Sequence, residues 1–291
     1  MPLEKHSPSK VNLLLNILGK RADGFHELET VMHPVKLYDR LTFERTGTGV
    51  SLTCSDPALP TNAHNLVHRA ATAFLSATGI RDGVSIHLEK RIPLAAGLGG
   101  GSGNAATTLL GLNELFNSPL APEGLTELAA QLGSDVPFFL QNQPALGTGR
   151  GERIESLETF AALRQAVFLL IHPGFGISTP WAYQNLARFP SALNGRPGRA
   201  LELIARLRGG DLLSAGAAFY NSLEAPALDK YPVLALYQEF LREHGAAATL
   251  MSGSGSTTFA IFQRASAAEA VRESFLGRFG LTCWTALVTV E

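Results

Sequence analysis

The residues most able to do chemistry in this chain lie between Pro93 and Ala106, where Pro93-Leu94-Ala95-Ala96 leads into Gly97-Leu98-Gly99-Gly100-Gly101-Ser102-Gly103. Glycine reaches positive φ at no steric cost and lets other groups approach the backbone closely. The alanine- and leucine-rich run that follows reads as a helix, whose first turn offers unpaired N–H groups and the positive end of a dipole. Together these are the means of holding a phosphate. Two common phosphate loops do not fit. The only Gly-Lys pair, Gly19-Lys20, has Leu14 where the G-x-x-x-x-G-K-[ST] pattern needs glycine. A dinucleotide fingerprint can be laid on Gly101-x-Gly103-x-x-Ala106, but that segment follows the proline-bearing Arg91-Ile92-Pro93 rather than a strand. A plain surface loop is disfavoured by the apolar Leu94, Ala95, Ala96 and Leu98.

Reaction at a held phosphate needs stabilised charge and a destination for any proton released. Asp135 is the candidate base. It stands between Gly133 and Val136-Pro137, at the head of the apolar Phe138-Phe139-Leu140. Local sequence allows two readings of it, a functional carboxylate or a helix N-cap. Lys10 opens an apolar strand, where a solvated strand end is the simpler reading. Asn12, two residues on, shares its face. His64 and His68 have the spacing of a metal pair, but Asn65 stands where H-E-x-x-H has glutamate. No G-x-S-x-G elbow or distinctive acidic spacing supports a hydrolase.

The elements that must position these residues are legible in part. Strands are expected at Ser9–Asn16, Leu41–Glu44, Val50–Thr53 and Val84–Glu89, with a helix over Asn65–Ala77. A helix follows the glycine loop, its Ala105 and Ala106 implying a closely packed neighbour. A second runs over Pro122–Leu132 and is stopped by Gly133. Further on come a strand at Ala166–Ile171, a helix with Thr179 as N-cap and Pro180 at its first position, strands at Ala247–Met251 and Thr257–Phe262, a helix over Ser266–Phe279 and a strand at Cys283–Val290. This order predicts an α+β protein of two domains. Residues 1–156 form a mixed nucleotide-binding domain, and 157–291 a ferredoxin-like split βαβ domain with a helical insertion. The boundary is set in the polar, glycine-rich stretch Gly147–Glu158.

Composition permits this and excludes other classes. A chain of 291 residues with 45% hydrophobic side chains can build two cores. A net charge of −1 leaves no broad footprint for nucleic acid, so none is expected as a partner. The apolar run from Val11 to Leu18 carries Asn12 and Asn16 and is too short to cross a bilayer. Cys54 and Cys283 belong to no C-x-x-C pair and read as reduced thiols, so the expected location is the cytoplasm.

Several segments in order resemble the GHMP kinases, which phosphorylate small-molecule alcohols with ATP. They are Ser7-Pro8-Ser9-Lys10-Val11-Asn12-Leu13, the glycine loop, Leu132-Gly133-Ser134-Asp135-Val136-Pro137, Gly147-Thr148-Gly149-Arg150-Gly151-Glu152 and Leu250-Met251-Ser252-Gly253-Ser254-Gly255-Ser256. The block Arg21-Ala22-Asp23-Gly24-Phe25-His26 is similar to the branch of the family whose substrate carries a cytidine diphosphate. The resemblance implies that Asp135 is the catalytic base and Lys10 its partner, and that Asn12 bonds the alcohol end of the substrate. It implies that Pro93, Gly97, Leu98, Gly99, Gly100, Gly101, Ser102 and Gly103 hold ATP. It also implies that Phe25 and Tyr183 sandwich the cytosine ring while His26 reads its edge. Without the resemblance, core packing is the simpler reading of Phe25 and Tyr183, and Arg21 and Asp23 shape the turn that presents Phe25 and His26. Phe25 stands where tyrosine is common in the branch. Gly103 replaces a serine or alanine, which makes the loop floppier and removes a hydroxyl. Mg²⁺ accompanies ATP in the family; its side-chain ligand is unknown, Ser102 being the one candidate. The oligomeric state is open, a homodimer being the one assembly considered. Two rivals stand: a GHMP kinase for another alcohol, such as mevalonate or homoserine, and a catalytically silent fold-mate that senses a ligand.

Overall fold

The computed structural model describes residues 2–290. The chain runs β1 (Leu3–Lys20), β2 (His26–Thr46), β3 (Val50–Cys54), α1 (Leu66–Thr78), β4 (Gly83–Glu89), α2 (Gly100–Leu115) and α3 (Pro122–Leu132). Next come β5 (Ala145–Gly149), β6 (Arg153–Ser156), β7 (Val167–His172), α4 (Thr179–Asn185), α5 (Pro190–Leu193), α6 (Arg199–Arg208) and α7 (Leu212–Gly216). The order ends with β8 (Tyr220–Asn221), α8 (Glu224–Lys230), α9 (Val233–Glu243), β9 (Ala248–Met251), β10 (Thr258–Phe262), α10 (Ala265–Phe279) and β11 (Trp284–Thr289). These elements divide into two compact units that interleave in sequence. The first takes residues up to Ser9 with Leu37–Ile92 and Gly99–Asn142; the second takes Lys10–Lys36, Pro93–Leu98 and the chain from Gln143 on. Strands β1 and β2 therefore contribute to both.

In the first unit the far half of β2 pairs antiparallel with β4, from Arg40 opposite Glu89 to Thr46 opposite Gly83, and β3 runs parallel to β4. Helices α1, α2 and α3 pack on one another. Asn65 caps α1 by accepting from the amide of Val67 at 2.9 Å, and Gly79 ends it in the left-handed region at φ 68°. Helix α2 lies against β2 through Gly111, where an added Cβ would meet the Phe43 ring at 2.7 Å. At its first turn Gly103 faces the carbonyl of Pro8, 2.5 Å from where a Cβ would stand. That contact is the close neighbour implied by Ala105 and Ala106. It also corrects the expectation of a floppier loop, because Gly103 is buried within a helix and its lost side chain makes room for β1.

In the second unit β5 pairs with β2 from Leu28 opposite Gly149 to Met32 opposite Ala145, and β6 closes a hairpin on β5. The polar stretch 147–158 thus contains the greater part of this hairpin. Strand β8 joins β1 in parallel, with Leu14 opposite Tyr220 and Leu15 opposite Asn221. The second sheet has the order β11-β7-β10-β9 with antiparallel neighbours, which is the split βαβ topology expected for the C-terminal half. Its core gathers Leu169, Ile171, Ala260 and Phe262 from the sheet with Leu234, Leu241 and Phe275 from the helices. Cys283 is buried and Cys54 half-buried, and both are free. No helix among the described residues is long and apolar enough to cross a membrane.

Three local expectations are corrected. Strand β2 covers 21 residues where only Leu41–Glu44 was expected, because Pro34 and the buried Asp39 break its alternation. Ser178, not Thr179, caps α4. Gly133 ends α3 at φ 168°, extended backbone open to any residue, so no left-handed cap forms there.

His33 on β2 is 2% exposed; its Nδ1 lies 2.8 Å from the carbonyl of Pro34, and its ring packs on Phe160. Burial pushes its pKa from 6.5 to about 4. The unfolded chain therefore binds a proton near pH 6.5 that the folded protein refuses until about pH 4, so stability falls as pH drops through that window. His33→Gln is expected to flatten the decline of melting temperature between pH 6.5 and 4, with little change at pH 8; circular dichroism melts across that range measure it.

Candidate active site

The second unit brings Lys10, Asn12 and Gly97 together. Lys10 is 2% exposed, so it is not a solvated strand end. Its Nζ donates to Asn12 Oδ1 at 2.5 Å and to the carbonyl of Gly97 at 3.1 Å, and its amide donates to the carbonyl of Leu98 at 3.0 Å. The glycine segment is thus fastened to β1 by backbone and side chain alike. A buried ammonium is costly without acceptors, and Asn12 is oriented to be one. Asn12 Nδ2 donates to Thr30 Oγ1 at 2.9 Å, while the Thr30 hydroxyl donates to the carbonyl of Leu14 at 2.6 Å. Ser252 completes the cluster: its hydroxyl donates to the carbonyl of Gly97 at 2.9 Å and accepts from the Asn12 amide at 3.3 Å. Gly97 sits at φ 76°, and a Cβ on it would stand 2.0 Å from the carbonyl oxygen of Ser252. Only glycine fits there.

The aromatic residues lie in the same unit. The Arg21–Phe25 turn is closed by the Arg21 amide on the carbonyl of Phe25 at 2.7 Å and by the Phe25 amide on Asp23 Oδ1 at 3.1 Å. The Arg21 guanidinium pairs with Asp23 and Glu27 at 3.0 and 2.8 Å. Arg21 and Asp23 therefore shape the turn that presents Phe25, which is 52% exposed, and His26. The ring contact is between His26 and Tyr183, at 5.0 Å and 40°, while Phe25 carries the Arg150 guanidinium 4.7 Å from its ring centre. Burial, helped by the charge of Lys20, lowers the His26 pKa, which favours the neutral ring. At the start of α4 the Thr179 hydroxyl, free of the capping role, lies 2.8 Å from Ser254 Oγ.

The first unit holds the helix end. Gly99, at φ 70°, is the N-cap of α2 and has no side chain to satisfy the first amides; an uncapped helix N-terminus of this kind favours an anion. Gly100, Gly101, Ser102 and Gly103 belong to the helix itself, so the loop proper ends at Gly99. Its entry is held by Asp39, wholly buried and ion-paired with Lys90. Asp39 accepts from the amides of Arg91 and Ile92 at 2.7 and 2.9 Å and from Asn104 Nδ2 at 2.9 Å. Asp135 lies half-buried after α3. Val136 occupies the N-cap position of the short 3-10 helix Pro137–Leu140, so Asp135 is not that cap. The Phe139 ring lies 3.5 Å from where a Gly103 Cβ would stand, which places the Asp135 segment beside the first turn of α2. Among the described residues no three His, Cys, Asp or Glu side chains cluster as a metal cage, His64 and His68 included.

Sequence reasoning missed Thr30, Asp39, Lys90 and Asn221. Ser252 was legible as part of a glycine turn but not as a partner of Asn12.

The GHMP kinases N terminal domain family matches residues 65–143, and the GHMP kinases C terminal family matches 200–280. The phosphate-loop helix and the split βαβ sheet are therefore those of a GHMP kinase. The chain is 44% identical to the 4-diphosphocytidyl-2-C-methyl-D-erythritol kinase of Pelotomaculum thermopropionicum, over 87% of this chain and 86% of that one. It is 42% identical to the kinase of the same name from Syntrophus aciditrophicus, over 94% of each. A crystal structure of 4-(cytidine 5'-diphospho)-2C-methyl-D-erythritol kinase superposes with a TM-score of 0.81 at 36% identity, covering 99% of both chains. Within the GHMP kinases the chain belongs to the 4-diphosphocytidyl-2-C-methyl-D-erythritol kinase family.

Gly97→Ala forces a Cβ onto the Ser252 carbonyl at positive φ. It is expected to cost about 2 kcal/mol or more, a fall of roughly 4–8 °C in melting temperature. kcat should fall by at least about tenfold, because the Lys10 contact moves with the loop; calorimetry and steady-state kinetics check both.

Proposed function

We propose that the protein transfers the γ-phosphoryl group of ATP to the 2-hydroxyl of 4-diphosphocytidyl-2-C-methyl-D-erythritol, giving the 2-phosphate and ADP in the non-mevalonate route to isoprenoids. The observation that carries this reading is the buried Lys10 ammonium held on Gly97, at the root of the phosphate loop, in a chain 44% identical to a kinase named for that substrate. In this reading Pro93, Gly97, Leu98 and Gly99 shape the loop, and the first turn of α2, Gly100 to Gly103, meets the phosphates. Asp135 accepts the proton of the 2-hydroxyl as its oxygen bonds to the γ-phosphorus and the bond to the bridging oxygen of ADP breaks. Lys10 stabilises the developing alkoxide. Asn12, already oriented by Thr30, bonds the erythritol end. The cytosine stacks on Phe25 and Tyr183, and His26, neutral near pH 7, bonds its edge.

Mg²⁺ carried by nucleotide phosphates needs only one or two protein oxygens, and the Ser102 hydroxyl in the first turn of α2 is of that kind. When bound, the ion would supply charge neutralisation on the phosphates, with Ser102 as the residue that would hold it. We assign residues 1–156 to ATP and 157–291 to the substrate as functional halves, although the compact units interleave across that boundary. A cytoplasmic location completes the reading; a homodimer is the one assembly considered, and sedimentation tests it.

ADP release from ATP and Mg²⁺ should appear with the cytidine substrate and stay at background with mevalonate or homoserine. Turnover on another alcohol would overturn the cytosine site. Binding of both substrates without turnover would make the chain a sensor. Asp135→Ala is expected to lower kcat by about 10²–10⁴ with ATP affinity within threefold. Separately, CMP should raise the melting temperature of the wild type but not of His26→Ala, as read by differential scanning fluorimetry.

A further inference from the structure

Beside Lys10 and Asn12 the second unit carries a turn with a holder of its own. Asn221 is 3% exposed and lies on β8, opposite Leu15 of β1. Its Nδ2 donates to the carbonyl of Met251 at 2.7 Å and to that of Gly253 at 2.8 Å, and its Oδ1 accepts from the Leu223 amide at 2.9 Å. One carboxamide thus grips the backbone on both sides of Ser252. Only asparagine or glutamine offers two N–H donors and an acceptor in one plane, and the short reach from β8 selects the former.

What the grip holds is the underside of the transfer centre. Between the two carbonyls Ser252 donates its amide to the carbonyl of Thr257 at 2.9 Å and its hydroxyl to that of Gly97 at 2.9 Å. Gly253, at φ 57°, comes so near that a Cβ on it would stand 3.4 Å from Lys10 Nζ, 3.4 Å from Asn12 Oδ1 and 3.1 Å from the carbonyl of Gly97. A shift of this turn by a few tenths of an ångström would press on the ammonium or leave its environment open. Strand β8 also pairs with the strand that carries Lys10, so one element sets both sides of the contact.

We propose that Asn221 is a positioning residue for phosphoryl transfer, fixing the Ser252–Gly253 turn against Lys10 and Gly97 and so setting where the ammonium stands. The proposal rests on the reading of Lys10 and Asn12 as members of the transfer centre. A residue needed only for folding would lose cytidine binding together with turnover; a positioning residue loses kcat alone. Asn221→Ala removes both donors, and Asn221→Asp sets a carboxylate against two carbonyls.

The test measures kcat, both KM values, CMP affinity and melting temperature for these two variants beside Lys10→Ala. The expected result is a fall in kcat of about 10²-fold, the size of a misplaced reacting geometry, with CMP affinity and substrate KM within threefold of wild type. A folded Asn221 variant that keeps kcat within threefold overturns the proposal. So does parallel loss of kcat and CMP affinity, or the absence of a cooperative melt in both variants. Full activity in Lys10→Ala would instead overturn the reading of the centre, which keeps the two failures apart.

Discussion

The second unit depends on a backbone crossing too close for any side chain. Gly97 and Ser252 meet where a Cβ would stand 2.0 Å from a carbonyl oxygen. Through that approach three segments far apart in sequence become one cluster. The glycine loop brings its carbonyl to Lys10, β1 brings Lys10 and Asn12, and the turn after β9 brings the Ser252 hydroxyl. Polar groups taken from water must find partners. Here each finds one on another segment, so the cluster forms as a whole or not at all. The amide of Thr257 on the carbonyl of Ala96 at 3.1 Å extends the same seam.

The first unit answers with a different device. Asp39 is a buried carboxylate whose acceptor capacity is filled by Lys90, two backbone amides and Asn104. A buried pair of this kind contributes little net stability, since desolvation offsets the attraction, yet removing one partner leaves a costly orphan charge. Its effect is geometric: it ties β2, the residues entering the glycine loop and the body of α2 to one point. Helix α2 then presents its open end after a glycine cap, with Gly103 allowing β1 to lie against its first turn.

What could be read from the sequence was what is local. The glycine run, the helix behind it, the Asn65 cap and the strand order of the C-terminal half all follow from neighbours within a few residues. Lys10 stood out through the family resemblance, and Asn12 beside it because alternate residues along a strand share a face. Asn221 and Asp39 were not, because the carbonyls that Asn221 grips lie 30 and 32 residues away and the partners of Asp39 51 to 65, and an isolated Asn or Asp gives no hint of such a bond. Gly103 was misjudged for the same reason, its neighbour being Pro8 on another element. The sequence does not separate Ser178 from Thr179 as the cap of α4, because both side chains suit the position and only the backbone decides. Strand β2 hid behind a proline and a buried charge.

The interleaving of the two units has a consequence for how a nascent chain becomes a protein. Segments of the first unit end at Asn142, so all of them are synthesised before the greater part of the second unit. The second unit needs Lys10–Lys36 from the start of the chain and β11 from its end. Leu14 must wait for Tyr220 to emerge, and β7 for Trp284. Until β8 is made, β1 therefore offers an unmade edge, as β7 does until β10 and β11 follow, the condition in which strands associate with the wrong partner. The arrangement that gathers the cluster from both ends of the chain also makes it among the last parts of the molecule to form.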